Sequence, residues 1–218
     1  RRTAAASALA ARALAREDSH TLLICGCGQQ GRAHLAALGE VLPLQRCLLW
    51  DSEPEAARAL AAEAAGTCRI EVTPVPDLEA ALSADVIATC TSARQPFLDA
   101  ELVRPGTFVA AVGADSPDKN ELTPTLMAAA TIVTDVTSQC AQMGELHHAL
   151  EARAVRKADV GAELGRILLG ERPGRQSPEE IIIFDSTGAG FQDVAAAAAV
   201  YERCRGNRSI RSAPLGKA

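Results

Sequence analysis

The residues best suited to chemistry lie where apolar runs end. Gly26-Cys27-Gly28-Gln29-Gln30-Gly31 follows the apolar run at 21–25 and precedes a helix-compatible stretch that begins at Arg32. This is G-x-G-x-x-G between a strand and a helix, the context in which it binds a dinucleotide. Gly26 turns the chain tightly, Gly28 lets the backbone approach a pyrophosphate, and Gly31 lets helix and sheet pack closely. The unpaired N–H groups and positive dipole end of the helix, at Gln29 and Gln30, then face the phosphates. A second apolar run, 46–50, ends at Asp51. That is about 20 residues beyond the last glycine, where a carboxylate accepts from the ribose hydroxyls. Asp51 repels a 2′-phosphate, and the next residue is Ser52 rather than the arginine that would hold one. NAD(H) is therefore the expected cofactor, with NADP(H) possible.

In an open parallel sheet, ligands lie beyond the carboxyl ends of the strands. That rule selects Thr91-Ser92-Ala93, the loop from Gly113 to Lys119, Thr137-Ser138-Gln139 and Asp185-Ser186-Thr187-Gly188. Asp115 follows the end of the apolar run at Val112. A carboxyl there, partly desolvated beside a nicotinamide, would have a raised pKa and could exchange protons with a substrate nitrogen. An Asx turn, or a cap for a helix starting near Pro117, accounts for the same residue. Lys119 could neutralise a carboxylate or phosphate, or be an exposed lysine. His147 and His148 could supply a proton donor, or be one packed and one solvated ring. As helix neighbours they should point about 100° apart, against joint metal binding. Asp193 reads as a charge in a first helical turn. No G-x-S-x-G or H-E-x-x-H occurs, so hydrolase chemistry has no support.

The elements that would position these groups alternate. Strands are expected at 21–25, 46–50, 70–75, 84–90, 107–112, 131–136 and 181–184, and helices at 28–39, 53–65, 77–83, 160–169 and 191–204. The fold class is α/β: a Rossmann-type, doubly wound, mostly parallel sheet. Residues 17–204 form the NAD(P)-binding domain and 205–218 a loose tail. Residues 1–16 read as an Ala-rich linking helix with Ala4, Ala5, Leu9 and Leu14 near one face. The chain starts with Arg rather than Met and is expected to lack an N-terminal region.

Bulk properties bound the function. Hydrophobic residues make up 48% and aromatics 3%, so the core must be built from Ala, Val, Leu and Ile. A net charge of −5 without a basic cluster excludes a nucleic-acid surface, and no run is long enough for a membrane span. Seven scattered cysteines without C-x-x-C fit buried thiols in a reducing cytoplasm.

The same residues resemble the ornithine cyclodeaminase/mu-crystallin family. The matching segments are Arg2-Thr3-Ala4-Ala5-Ala6-Ser7, the Gly26–Gly31 loop with Gln30, the run from Val112 to Leu122, Gly144-Glu145-Leu146, Pro173-Gly174-Arg175, and Phe184 to Gly188 followed by Gln192-Asp193. The resemblance implies that Arg2 holds a substrate α-carboxylate, that Thr3 lies near the cofactor, and that Asp115 handles the proton on the substrate nitrogen. It places Lys119, Ser186, Thr187 and Gly188 on the nicotinamide side, with Lys119 expected to bind substrate; the strand-end rule adds Thr91, Ser92, Val112 and Gly113 to the expected cofactor residues. It implies a further N-terminal domain for substrate and dimer contacts, hence a homodimer when full length. The implied activity is reduction of a cyclic imino acid, pyrroline- or piperideine-2-carboxylate, to proline or pipecolate. The alternatives are ornithine cyclodeaminase, an alanine dehydrogenase-like activity, and a non-catalytic nucleotide- or ligand-binding protein.

Overall fold

Leu22, Leu23, Ile24 and Cys25 have no exposed surface. A strand can be buried this way only when both faces of its sheet are covered, which is the condition of a parallel sheet wrapped by helices. The computed structural model describes residues 2–205. Its strands are β1 (Thr21–Cys25), β2 (Arg46–Trp50), β3 (Glu71–Pro74), β4 (Val86–Thr89), β5 (Phe108–Ala111), β6 (Thr131–Thr134), β7 (Ala162–Glu163) and β8 (Ile182–Asp185). They form one sheet in the order β3-β2-β1-β4-β5-β8-β6-β7, and every pairing is parallel. The chain winds outward from β1 through β2 to β3, then returns to place β4 on the other side of β1. That reversal opens a crevice at the carboxyl ends of β1 and β4.

The helices are α1 (Arg2–Leu14), α2 (Gln29–Val41), α3 (Pro54–Ala64), α4 (Pro124–Ala128), α5 (Thr137–Met143), α6 (Glu145–Glu151), α7 (Leu164–Leu168) and α8 (Gly190–Cys204). Alternation along β1 sends Leu22 and Ile24 to one face, with Leu35, Leu38, Leu49, Leu60, Phe108 and Phe184. Leu23 and Cys25 go to the other, with Ile87, Val109, Leu126, Leu146 and Ile183. Each fully buried Leu, Ile or Phe contributes about 1.5–3 kcal/mol, so the two layers supply a core despite the scarcity of aromatics. None of the described helices is long and apolar enough to cross a membrane.

Several expectations need correction. Residues 160–169 are not one helix: Ala162–Glu163 extend the sheet as an edge strand, and only Leu164–Leu168 is helical. Residues 78–83 form a 3₁₀ helix capped by Asp77, whose carboxylate accepts from Glu79 N. The buried face of α1 is Ala4, Ser7, Ala8, Ala10, Ala11 and Leu14, whereas Ala5 and Leu9 are exposed. The tail expected at 205–218 falls, beyond Arg205, outside the described residues. The seven cysteines are free thiols. Burial pushes Cys25, Cys47, Cys90 and Cys140 up, which keeps them protonated and unreactive.

Candidate active site

The glycine turn has the geometry its sequence requires. Gly26 has φ +99°, and a methyl there would lie 2.7 Å from the Cys90 carbonyl oxygen. A methyl at residue 31 would lie 2.2 Å from the Gly26 carbonyl oxygen, so α2 can start this close to β1 only with glycine. At Gly28 the same methyl would meet nothing within 4 Å. Gly28 caps α2 in an extended conformation and no side chain satisfies the helix start. The open space over Gly28 and the uncapped first turn, with Gln29 and Gln30 exposed, are what a pyrophosphate needs. Asp51 closes the far side. Its Oδ2 accepts from Cys27 N at 2.7 Å and its Oδ1 from Glu53 N at 3.0 Å, and each oxygen keeps a lone pair for a ribose hydroxyl. Ser52 beside it is exposed.

Next to this turn is a cleft of about 270 Å³, lined by Arg2, Thr3, Gln30, Cys90, Thr91, Val112, Gly113, Asp115, Lys119, Ser186, Thr187 and Gly188. It gathers residues from α1, α2 and the ends of β4, β5 and β8. Arg2 is held on two sides: Nε donates to Asp193 Oδ1 at 2.9 Å and Nη1 to Gln192 Oε1 at 3.0 Å. Its Nη2 edge remains for an anion. Gly188 has φ +81°, and a methyl there would be 2.6 Å from Arg2 Nη1. The turn it belongs to is pinned by Asp135, which accepts from Ser186 Oγ and Gly188 N, both at 2.8 Å. Gln139 also reaches it, donating to Thr187 Oγ1 and the Gly188 carbonyl.

Asp115 and Lys119 form an ion pair at 2.6 Å across one loop. The Asp115 side chain is 55% exposed, so the desolvated carboxyl expected from sequence is instead open to solvent and charge-paired. No helix starts near Pro117, and Asp115 is not a cap. Ser92 is exposed and outside the cleft wall. His148 Nε2 donates to the Lys119 carbonyl at 2.8 Å, supporting this loop from α6. The expectation that His147 and His148 diverge is also corrected. Their rings meet edge to face with centroids 5.1 Å apart. One ligand atom from each, and one from Glu151, lie within 4.8 Å of one another, with His147 Nε2 3.6 Å from Glu151 one turn on. A larger open groove of about 760 Å³, lined by Arg16, Pro105 and Arg175 among others, lies at the amino ends of the strands, away from this chemistry.

The model of the ornithine cyclodeaminase/mu-crystallin family matches residues 1–208. The chain belongs to that family. It is 41% identical over 203 residues to a putative dehydrogenase of Rhizobium meliloti, covering 93% of this chain and 62% of the relative. An archaeal alanine dehydrogenase dimer with bound NAD is 37% identical with a TM-score of 0.91, over 96% of this chain and 65% of that one. The Thermococcus litoralis Δ1-pyrroline-2-carboxylate reductase, in complex with NADH and L-proline, is 29% identical with a TM-score of 0.93, over 98% and 66%. The chain thus spans about 62% of the length of the curated relative it matches.

Buried polar groups lie behind this family member's cleft. Glu121, Glu145 and Asp185 are essentially fully buried. Burial pushes all three carboxyls up, Asp185 to about 7. His34 is buried too, and desolvation lowers its pKa. Its Nδ1 donates to the Gln30 carbonyl at 2.8 Å, and its Nε2 is 2.9 Å from Ser7 Oγ. A neutral His34 accepting from Ser7 ties α1, which carries Arg2 and Thr3, to the start of α2. A serine in an Ala-rich helix, three to four residues from its apolar neighbours, was the one signal that could have revealed this contact.

Proposed function

We propose that the full-length protein reduces an α-imino acid with NAD(H), and that the substrate is cyclic, pyrroline- or piperideine-2-carboxylate giving proline or pipecolate. The observation that carries this reading is the convergence, in one cleft beside the uncapped dinucleotide turn, of Arg2 with the Asp115–Lys119 pair. The glycine turn, α2 and Asp51 fit the cofactor, which when bound supplies the hydride that C2 of the substrate receives. Arg2, fixed by Asp193 and Gln192, binds the α-carboxylate through its remaining N–H groups and orients the C=N bond. Asp115 keeps the imine nitrogen protonated, which makes C2 electron-poor, and Lys119 holds the Asp115 carboxylate in place. Thr91, Val112, Gly113 and Ser186 to Gly188 wall the nicotinamide side. Similarity to a pyrroline-2-carboxylate reductase seen with NADH and proline supports the cyclic substrate, and similarity to a dimeric relative supports a homodimer.

The second reading is conversion of ornithine to proline and ammonia with NAD used catalytically, favoured by the family's other activity and compatible with the same residues. Mixing the full-length protein with NADH and each cyclic imine, and following nucleotide absorbance, separates the two. Turnover supports the reductase. No turnover, together with proline formed from ornithine at catalytic NAD, replaces it with the cyclodeaminase. Silence in both favours a non-catalytic nucleotide- or ligand-binding protein.

A further inference from the structure

Three buried carboxylates stand in series behind the cleft; the first two accept from backbone N–H groups at and beside the next acid, and the last from the cleft loops. Asp185, at the end of β8, accepts from Glu145 N at 3.2 Å and Leu146 N at 2.9 Å. Glu145 accepts from Glu121 N at 2.8 Å and Leu122 N at 3.1 Å. Glu121 accepts from Thr91 N at 2.6 Å, Thr91 Oγ1 at 2.7 Å and Gly113 N at 3.0 Å. Among the described residues none of the three has an ion-pair partner. Burying carboxylates without a cation is costly, and a hydrophobic core would be more stable. Two glycines mark how tightly the series is built. A methyl on Gly113 would lie 2.3 Å from Glu121 Oε1, and one on Gly144 would lie 2.7 Å from both Asp185 oxygens.

We propose that Glu121 is a positioning residue for the nicotinamide side of the site: the last rung of a carboxylate ladder that joins the end of β8 to the loops after β4 and β5. Both loops line the cleft, through Thr91 and through Val112 and Gly113. A single carboxylate holding an N–H from each loop sets their separation, which neither strand can do alone once its ladder of backbone bonds has ended. Glu121 lies two residues after Lys119 and accepts from Gly113 N, two residues before Asp115, so the same rung ties together both ends of the segment that carries the Lys119–Asp115 pair. The inference rests on the reading of the cleft as the nicotinamide site.

The test compares E121Q and E121A with the wild-type full-length protein. One arm measures NADH affinity by fluorescence titration, the other the hydrogen exchange of individual amides without nucleotide. In E121Q the amide oxygen still serves the two Thr91 donors, while its NH₂ faces the Gly113 N–H. Gly113 exchange should therefore accelerate more than that of Thr91, and NADH affinity should fall severalfold. In E121A both amides should accelerate and NADH binding should weaken by about tenfold. Exchange at Leu23 in β1 and Val133 in β6 should stay slow in E121Q. The proposal is overturned if both variants bind NADH within twofold of wild type, or if exchange rises evenly across the sheet. A wild-type protein that takes up no NADH removes the nicotinamide reading instead. The exchange arm then still decides whether Glu121 fixes the two loops.

Discussion

Gly31 and Gly28 belong to one motif, yet the structure assigns them different jobs, and alanine substitutions separate them. In G31A the new methyl starts 2.2 Å from the Gly26 carbonyl oxygen and 3.3 Å from Ile24 Cγ2. The clashing atom is backbone in a tight turn, so it cannot rotate away, and α2 must retreat from β1 by about 1 Å to restore ordinary contact. Overpacking of this kind costs about 1–3 kcal/mol, and a rigid obstacle puts the expected value at the upper end. For a chain of this size about 3 kcal/mol is a fall in Tm of roughly 6–12 °C. In G28A the methyl meets no protein atom within 4 Å. Stability should drop by no more than about 1 kcal/mol, the cost of an alanine cap. The methyl does occupy the space through which a pyrophosphate must approach, so NADH affinity should fall by at least about tenfold. Thermal unfolding without nucleotide and NADH titration on both variants make the comparison. A smaller Tm loss for G31A than for G28A, or wild-type NADH affinity in G28A, would overturn this division of roles between the two glycines.

Further outcomes follow from other contacts. Asp51 should make NADH bind at least about tenfold more tightly than NADPH, because a 2′-phosphate would face its carboxylate; equal affinities in a parallel titration would remove Asp51 as the discriminator. D115N in the full-length enzyme should lower kcat by about 10²–10⁴-fold while NADH affinity stays within about threefold. Full activity in that variant would exclude the proton role. Asp185 should make a contribution to stability that falls as pH rises from about 4 to about 7. Asp185 is held protonated in the native state up to about 7, whereas the unfolded chain releases that proton near the ordinary Asp value of 3.8. Glu121 and Glu145 act in the same direction. Denaturant midpoints across this range should show the decline, and D185N should flatten it; an unchanged slope in D185N would assign the effect elsewhere.

What could be read from the chain, and what could not, has physical causes. β1 and β5 announce themselves because strands buried on both faces are continuous apolar runs, and Gly26 to Gly31 with Asp51 has a spacing fixed by the dinucleotide turn. β7 escaped because two residues are too few for a period-2 pattern, and the apolar residues after it belong to α7. In α1 the buried stripe was misassigned because Ala4 and Ala5 are equally apolar, so an Ala-rich helix carries little phase information. The exposure of Asp115 was illegible too, since its loop position says nothing about which way the chain folds after Gly113. Glu121 and Glu145 were the hardest to foresee. Glutamates are ordinarily surface residues, and their partners here are backbone N–H groups that come together only when β4, β5, β8 and α6 are assembled.

If C2 of an α-imino acid is reduced in the cleft formed by Arg2, Asp115 and the nicotinamide-side loops, the hydride it gains comes from the nicotinamide C4. The decisive measurement incubates the full-length protein with piperideine-2-carboxylate and NADH deuterated at C4, on the face transferred, and reads the product by mass spectrometry and NMR. One deuterium at C2 of L-pipecolate, and a collapse of its formation in D115N, is the expected result. Pipecolate without that deuterium, or label transfer undiminished in D115N, would contradict the account.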